Sequence, residues 1–489
     1  MNIRPQIATV GYESIIYSIS NLLTKITALL LVPIYTNILS FPEVGIIIII
    51  EMIESIFIAL APLGSINAMW RFLPSLKGNK KKEIIISTFI IMIFSSCLLA
   101  LFFYLLTPFI FIKNIQYFKY LIPLIIFSCF LKSISSFVFY IFQYQNKPKL
   151  YLLASLFQFF SIYILSIYFI VFLKIGIIGI LISKILIFLI FSLFSITYIL
   201  KSFFILPSIS NFKNILQYGI PIIPFALIMP AITHLDRLFI NYYLSLEELA
   251  LYGVAFKFGM LIQMFLVVPI DKTFSPNLFK IGSQSPKKLK IYSDIAKYYS
   301  LVGLVFLFFT ILFSKELLLF FTNSNYATIH WLIPIISLSY YIGGFRTFFK
   351  VGPSLKDRTV YLSIIGFLTI IINIFFNYSF IKYFGLNGAL ASKVFSFSFL
   401  VMIMLFFSKK TIKIYWPIKK IISCIFIIII ISIFYNYLNG WVVFVGPFIK
   451  FSLLLFFGFL LYVFRVFDKR DLNKFKKLFN SFRLGKNNA

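Results

Sequence analysis

The sequence predicts an all-α integral membrane protein with about fourteen transmembrane helices, arranged as two parallel six-helix repeats followed by two extra C-terminal helices. Of its 489 residues, 61% are hydrophobic and 12% are charged, and the mean hydropathy is +1.00. The apolar residues form runs of roughly 20, the length that crosses a bilayer as a helix. Two sequence patterns also recur within the chain. This composition excludes a soluble globular domain and a disordered chain.

The helix limits follow from breaks at Pro, Gly, Asn and clustered charges. The first apolar run is too long for the core of a signal peptide and has no small-residue cleavage site after it, so we expect it to be retained as helix 1. The predicted helices cover residues 12–38, 43–69, 84–106, 119–142, 150–173, 176–200, 215–242, 249–275, 296–320, 329–350, 359–382, 386–407, 420–438 and 447–467.

The distribution of cations predicts the orientation. The chain has 45 Lys and Arg against 14 Asp and Glu, a net charge of +31. Thirty cations fall in one set of alternate loops and in the tail, whereas the other loops hold five: Lys113, Lys119, Lys174, Lys315 and Lys382. Because cytoplasmic loops retain Lys and Arg, both termini are predicted to be cytoplasmic and the number of helices even.

An internal repeat predicts the domain organisation. Residues 39–45 (LSFPEVG) match residues 244–250 (LSLEELA), and residues 176–184 (GIIGILISK) match residues 385–393 (GLNGALASK). A six-helix unit returns the chain to its starting side, so the copies are parallel and related by an axis along the membrane normal, with a cavity between them. The predicted parts are an N-lobe with helices 1–6 (1–205), a C-lobe with helices 7–12 (206–410), accessory helices 13–14 (411–467) and a basic cytoplasmic tail (468–489), either an amphipathic helix on the inner leaflet or a solvated segment.

Seven ionisable residues fall deep within predicted helices. Exposed to lipid they would cost roughly 17–25 kcal/mol together, so they are expected to face a wet cavity or one another. Five are cations, which favours an anionic substrate. They are Lys25, Glu51, Glu54, Lys132, Lys184, Lys257 and Lys393.

Several of these charges have two interpretations. Lys184 and Lys393 either line the cavity or bind backbone carbonyls. Asp236 and Arg237 face either the cavity or an interface. Glu51 and Glu54 lie on one helical face and either bind Na⁺ or a proton or, the favoured interpretation, neutralise Lys25. Pro221, Pro224 and Pro230 predict a bent helix 7 that is suited to act as a gate.

No cofactor, metal site or catalytic group is predicted. The three cysteines, Cys97, Cys129 and Cys424, all lie in apolar runs and form no disulfide framework or zinc spacing. The two histidines, His234 and His330, are far apart in the sequence.

The sequence resembles the polysaccharide flippases of the multidrug/oligosaccharidyl-lipid/polysaccharide (MOP) exporter superfamily, similar to bacterial O-antigen (Wzx-type) flippases. The resemblance covers nearly the whole chain, although each motif is loose. The residues that carry it are 30–40 (LLVPIYTNILS) with Glu43 and Gly45, then Gly64, Ala68 and Arg71, and in the second half 236–240 (DRLFI), Tyr252, Gly253, Lys257, Pro276 and 385–389 (GLNGA).

The resemblance implies a transporter that flips an undecaprenyl-pyrophosphate-linked oligosaccharide, such as an O-antigen repeat unit, from the cytoplasmic to the periplasmic leaflet of the bacterial inner membrane. It implies Lys25, Arg71, Arg237 and Lys257 as substrate-binding cations, and Glu51, Glu54 and Asp236 as candidates for coupling to an ion gradient. The implied partners are the lipid-linked oligosaccharide, membrane lipids and, in polysaccharide assembly, a polymerase and a chain-length regulator.

Alternative functions differ in features that the sequence shows. A drug/cation antiporter of the same superfamily is expected to have an acidic or aromatic cavity, which the excess of cations disfavours. A lipid-linked peptidoglycan-precursor flippase shares the fold and the cationic cavity, so it stays open. A polysaccharide polymerase or ligase is disfavoured because the predicted outer loops are short and hold no paired carboxylates or nucleophile motif. Nucleic-acid binding is disfavoured because the cations are spread between helices.

Overall fold

The computed structural model describes residues 29–110, 120–271, 286–355 and 359–411, together with Lys450 and Ser452. The secondary structure within these residues is helical, without a strand. The helices in the first part of the chain are α1 (Val32–Ile38), α2 (Phe41–Leu60), α3 (Ser65–Phe72), α4 (Asn79–Ile110), α5 (Leu121–Tyr144), α6 (Pro148–Ile167) and α7 (Gly176–Phe203). Those in the second part are α8 (Ile209–Gly219), α9 (Ile223–His234), α10 (Asp236–Tyr243), α11 (Leu246–Gly259), α12 (Pro286–Phe321), α13 (Leu332–Gly344), α14 (Arg346–Phe349), α15 (Val351–Leu355), α16 (Thr359–Phe376) and α17 (Lys382–Thr411).

These helices include nine in the described residues that are long and apolar enough to cross a membrane, or up to ten when the bent pair α2 and α3 counts as one span. The predicted helices 2 to 12 coincide with this helical content to within several residues, except that α12 begins at Pro286, ahead of the predicted start of helix 9 at residue 296. Most of helix 1 and all of helix 13 lie outside the described residues, as does helix 14 apart from Lys450 and Ser452. The count of fourteen therefore stays a prediction.

Glycine separates the two helices that the sequence predicts at 359–382 and 386–407. One helical stretch, Tyr361–Thr411, runs through both, but Gly385 interrupts it with φ +56° and ψ −133°. Side chains other than hydrogen are disfavoured at such a φ. The break lies between the predicted limits of the two helices.

The two segments that match in sequence, beginning at residues 176 and 385, also have two backbone features in common. A π-helical turn, Tyr168–Phe172, precedes Gly176, which has φ +57°. A second π-helical turn, Asn377–Ile381, precedes Gly385, which has φ +56°. The arrangement of the whole chain as two six-helix repeats stays a prediction, but a π-helical turn followed by a glycine of positive φ occurs at both places.

Glycines allow α2 to approach the second part of the chain at two levels. A Cβ at Gly45 would lie 3.0 Å from the carbonyl carbon of Leu246, and one at Gly253 would lie 2.5 Å from Cδ1 of Ile48. Beyond the 41° bend between α2 and α3, a Cβ at Gly64 would lie 2.7 Å from Cα of Gly219. Small residues matter here because helices in lipid associate through close packing rather than through the hydrophobic effect.

The prolines divide predicted helix 7 into α8, a 3₁₀ turn, α9 and α10. Pro221 lies in the 3₁₀ turn, Pro224 in the first turn of α9, and Pro230 inside α9. A proline inside a helix removes one backbone hydrogen bond and favours a bend. The irregular course places Asp236 and Arg237 at the start of α10, where both side chains are buried against other helices.

Candidate functional site

Glu54 of α2 binds two lysines from different helices. Its Oε2 lies 2.8 Å from Nζ of Lys132 on α5, and its Oε1 lies 2.6 Å from Nζ of Lys184 on α7. The Glu54 side chain is 7% exposed, whereas that of Lys132 is 36% exposed. One carboxylate therefore neutralises only part of the charge of two ammonium groups. Lys184 binds this carboxylate, and within the described residues no backbone carbonyl accepts a hydrogen bond from it, in contrast to one of its two predicted roles.

Glu51, one turn earlier on α2, faces the second part of the chain. Its Oε1 lies 2.5 Å from Nζ of Lys257 on α11, and its Oε2 lies 3.6 Å from a guanidinium nitrogen of Arg237 on α10. Arg237 also donates a hydrogen bond of 2.9 Å to the carbonyl of Ile48 and lies over the ring of Phe256. These contacts hold α2 against α10 and α11 through charge.

Asp236 forms a third cluster, more deeply buried than the others. Its Oδ2 lies 2.8 Å from Nζ of Lys393 on α17 and accepts a hydrogen bond from the Tyr252 hydroxyl. The ammonium of Lys393 also donates to the carbonyls of Ile232 and Thr233, each at 3.2 Å. The hypothesis that Lys393 binds backbone carbonyls is therefore confirmed, and the carboxylate is an additional partner.

The three clusters are net positive. They hold five cations and three carboxylates among the described residues. Removing charges from water is costly unless they are paired, which explains why each cation has an acidic partner. The excess of two positive charges favours the binding of an anion near the three clusters. The five cations are Lys132, Lys184, Arg237, Lys257 and Lys393.

A cavity of about 200 Å³ lies beside the Glu51 cluster. Its lining residues are Leu29, Glu51, His234, Arg237, Phe256, Lys257, Met260 and Met264. Glu51 is 31% exposed and Lys257 12%, so the charged groups of this pair border the space. Nδ1 of His234, Oδ1 of Asp236 and Nε of Arg237 are buried without a hydrogen-bond partner in the described residues. Buried polar atoms of this kind are usually satisfied by water, an ion or a ligand.

The residues predicted to bind substrate or couple to an ion occupy two places. Glu51, Glu54, Asp236, Arg237 and Lys257 converge on the central clusters. Arg71 does not join them. It lies on α3 with its guanidinium 4.6 Å from the ring centre of Tyr218 on α8. Lys25 lies outside the described residues, and so does its predicted neutralisation by Glu51 and Glu54.

Lys450, which the sequence analysis did not single out, also belongs to a charged pair. Nζ of Lys450 lies 2.5 Å from Oε1 of Glu316 on α12 and donates a hydrogen bond of 3.0 Å to the carbonyl of Leu312. Lys450 falls at the start of predicted helix 14 and is 5% exposed. The only available signal was its position inside an apolar run, which does not identify a partner more than a hundred residues away.

Comparisons with known proteins agree with this architecture. The sequence profile of a family described as "Polysaccharide biosynthesis protein" matches residues 10–281, more than half of the chain. The Man(5)GlcNAc(2)-PP-dolichol translocation protein RFT1 of Kluyveromyces lactis is 29% identical over 176 residues, which cover 33% of this chain and 32% of that protein. The match therefore spans about a third of this relative's length.

Two solved structures show the same fold. The lipid II flippase MurJ in an inward closed conformation has a TM-score of 0.69 at 17% identity, covering 93% of this chain and 98% of its own. A multidrug resistance MATE family transporter of the MOP superfamily, in an inward-facing conformation, has a TM-score of 0.62 at 17% identity, covering 80% of this chain and 97% of its own. The resemblance predicted from the sequence is thus confirmed: the chain belongs to the polysaccharide biosynthesis protein family and has the fold of the MOP superfamily.

Proposed function

We propose that this chain moves a lipid-linked oligosaccharide from one leaflet of a membrane to the other. It is a multi-pass membrane transporter of the MOP superfamily and not an enzyme, since its relatives are named as a translocation protein, a flippase and transporters. One structural observation supports the substrate class most directly: three carboxylates on α2 and α10 bind five cations from α5, α7, α10, α11 and α17.

A pyrophosphate group matches this excess of positive charge. The Lys257 ammonium borders the cavity, and Glu51, at 2.5 Å, is its only carboxylate partner in the part of the chain that the structure describes. A pyrophosphate entering the cavity would compete with Glu51 for Lys257, and the second contact of Glu51, to Arg237 at 3.6 Å, would remain. Charge-assisted hydrogen bonds to phosphate are strong enough to offset this exchange. We assign Arg237 and Lys257 to substrate binding on this basis, and Lys25 and Arg71 on the resemblance to the flippase family.

The finer features of this function are also proposals. The substrate would be an undecaprenyl-pyrophosphate-linked repeat unit such as an O-antigen, moved from the cytoplasmic to the periplasmic leaflet of a bacterial inner membrane. Two six-helix lobes, residues 1–205 and 206–410, would move relative to each other, so that the charged clusters between them are exposed first to one side of the membrane and then to the other. Polysaccharide polymerase and chain-length regulator proteins would act on the product.

Coupling to an ion gradient is assigned to Glu51, Glu54 and Asp236. Each of them is paired with a cation, so an incoming proton or Na⁺ would have to replace a lysine or share the carboxylate. Asp236 supports the second possibility best, because its Oδ1 has no hydrogen-bond partner among the described residues. Transport measured with opposing H⁺ and Na⁺ gradients in the wild type and in Asp236→Asn tests this assignment.

Deletion of the gene in its source organism tests the function itself. We expect loss of a surface polysaccharide and accumulation of its lipid-linked repeat unit on the cytoplasmic side. Restoration by the wild-type gene but not by a Lys257→Ala variant, with equal amounts of both proteins in the membrane, would link the phenotype to the central site. Unchanged surface glycan together with reduced dye efflux would favour a drug antiporter, and accumulation of peptidoglycan precursor would favour the corresponding flippase.

A further inference from the structure

A second polar region lies apart from the central clusters, between α3 and α8. Two adjoining cavities of about 480 and 590 Å³ meet at Gln217 and Tyr218, which line both. Volumes of roughly 300–1,000 Å³ are typical of sites that hold small organic ligands. Lys77 lies in the loop between α3 and α4, and Lys80, Lys81 and Lys82 lie in the first turn of α4, so the cation distribution predicts that this region faces the cytoplasm.

The polar lining comes from one face of each helix. Asn67 and Arg71 are four residues apart on α3, and Asn211, Asn214 and Tyr218 follow at spacings of three and four on α8. Residues at these spacings share a helical face. The two faces are opposed across the gap, because the Arg71 guanidinium on α3 lies 4.6 Å from the ring centre of Tyr218 on α8.

The amides of this lining are available to a ligand. The side chains of Asn67, Asn214 and Gln217 are exposed and form no hydrogen bond with any part of the chain that the structure describes. Asn211, in contrast, donates a hydrogen bond of 2.9 Å to Glu83, which fixes the edge of the cavity. Each free amide offers an acceptor oxygen and two donor hydrogens.

This combination of groups fits sugar residues. Neighbouring hydroxyls of a pyranose each donate and accept hydrogen bonds, which a carboxamide can complement in both directions, and the ring of Tyr218 offers a flat face for the C–H surface of the sugar. Arg71 at the rim supplies a positive charge where the sugar chain joins its phosphate. Apolar side chains, among them Phe72, Ile84 and Phe225, form most of the remaining lining and can pack against the C–H faces of the sugars.

We propose that the cleft between α3 and α8 binds the sugar residues of the lipid-linked oligosaccharide before they reach the central clusters. This inference rests on the proposed function and extends it by assigning a separate site to the glycan. Asn67, Asn214, Gln217 and Tyr218 contact sugar hydroxyls and ring faces, and Arg71 binds the adjoining phosphate.

Site-specific photo-cross-linking in cells tests the contact whatever the composition of the glycan. p-Benzoylphenylalanine is placed at Gln217 in the cleft, at Met260 beside the central cavity, and at the exposed Asn325 as a control. After irradiation, the cross-linked peptides are analysed by mass spectrometry. We expect sugar attached to a polyprenyl phosphate at Gln217 and Met260, and no such adduct at Asn325.

The outcomes separate the two proposals. Sugar at Met260 but only phospholipid, peptide or nothing at Gln217 would overturn the cleft and leave the proposed function standing. An equal yield of sugar at Asn325 would overturn the cleft as a specific site. Sugar at neither Gln217 nor Met260 would contradict both.

A pair of variants tests the role of the amides in transport. Asn214→Leu combined with Gln217→Met retains side-chain volume but removes the hydrogen-bonding groups. We expect about a tenfold lower rate for a carrier that bears the full oligosaccharide, since several hydrogen bonds are lost, and a smaller loss for a carrier with one sugar, which forms fewer of these hydrogen bonds. The matched control is Asn325→Leu, which should leave both rates unchanged. An equal loss for both carriers would overturn the proposal.

Discussion

Removing one partner of the Asp236 and Lys393 ion pair should destabilise the protein more than removing both. The pair is 2.8 Å apart, and its side chains are 2% and 1% exposed. In Lys393→Met the carboxylate stays buried with the Tyr252 hydroxyl as its one remaining partner among the described residues, and the carbonyls of Ile232 and Thr233 lose a donor. Breaking such a pair costs about 3–5 kcal/mol.

The double variant Asp236→Asn with Lys393→Met removes both charges. The amide oxygen of the new Asn side chain can still accept the Tyr252 hydrogen bond, and methionine keeps most of the volume of the lysine. Because no uncompensated charge remains, we expect the double variant to recover about 2 kcal/mol or more relative to Lys393→Met.

Reversible unfolding in mixed micelles with increasing SDS measures these differences, with tryptophan fluorescence as the signal. Lys201→Met, at an exposed position near the end of α7, is the matched control and should change stability by less than about 0.5 kcal/mol. If the effects of the two single substitutions simply add in the double variant, the carboxylate and the ammonium do not stabilise each other, and the reasoning is refuted.

Three further substitutions probe other contacts. Lys257→Ala should abolish translocation although the variant protein reaches the membrane in normal amounts, whereas Lys257→Arg should retain translocation. Full activity of the alanine variant in reconstituted vesicles would show that Lys257 is not part of the substrate site. Gly45→Val should separate α2 from Leu246, since even a Cβ at this position would lie 3.0 Å from the Leu246 carbonyl carbon. In this variant, a cysteine introduced at Met260 should react faster with a membrane-impermeant maleimide. An unchanged reaction rate would contradict this packing. Lys450→Met should lower the melting temperature in detergent because Glu316 loses its ammonium partner. Adding Glu316→Gln to Lys450→Met should restore part of the lost melting temperature. If the melting temperature does not rise, the two side chains do not act as a pair.

Local features of the fold were predictable because they depend on nearby residues. Apolar runs located the helices, and Gly385 ended one of them where its positive φ requires glycine. The cost of isolated charges in lipid also predicted that deep ionisable residues face one another or a cavity. The salt bridges of Glu51, Glu54 and Asp236 fulfil that expectation.

The pairing of individual charges could not be predicted, because partners lie far apart in the sequence. Glu51 and Lys257 are separated by 206 residues, and Glu54 and Lys184 by 130. No helical periodicity relates positions on different helices. Arg71 shows the same limit: the family resemblance grouped it with Arg237 and Lys257, but the bend after α2 carries it to the cleft beside Tyr218.

The requirement for a phosphate group tests the central claim most directly. Purified protein in liposomes is supplied with two fluorescent polyprenyl glycolipids that carry the same glycan, one through a pyrophosphate and the other through an uncharged linkage. The cationic site predicts rapid movement of the pyrophosphate form between leaflets and only background movement of the uncharged form, with the difference lost in Lys257→Ala. Equal rates for the two lipids in the wild type would contradict the assignment of the buried cations to substrate binding.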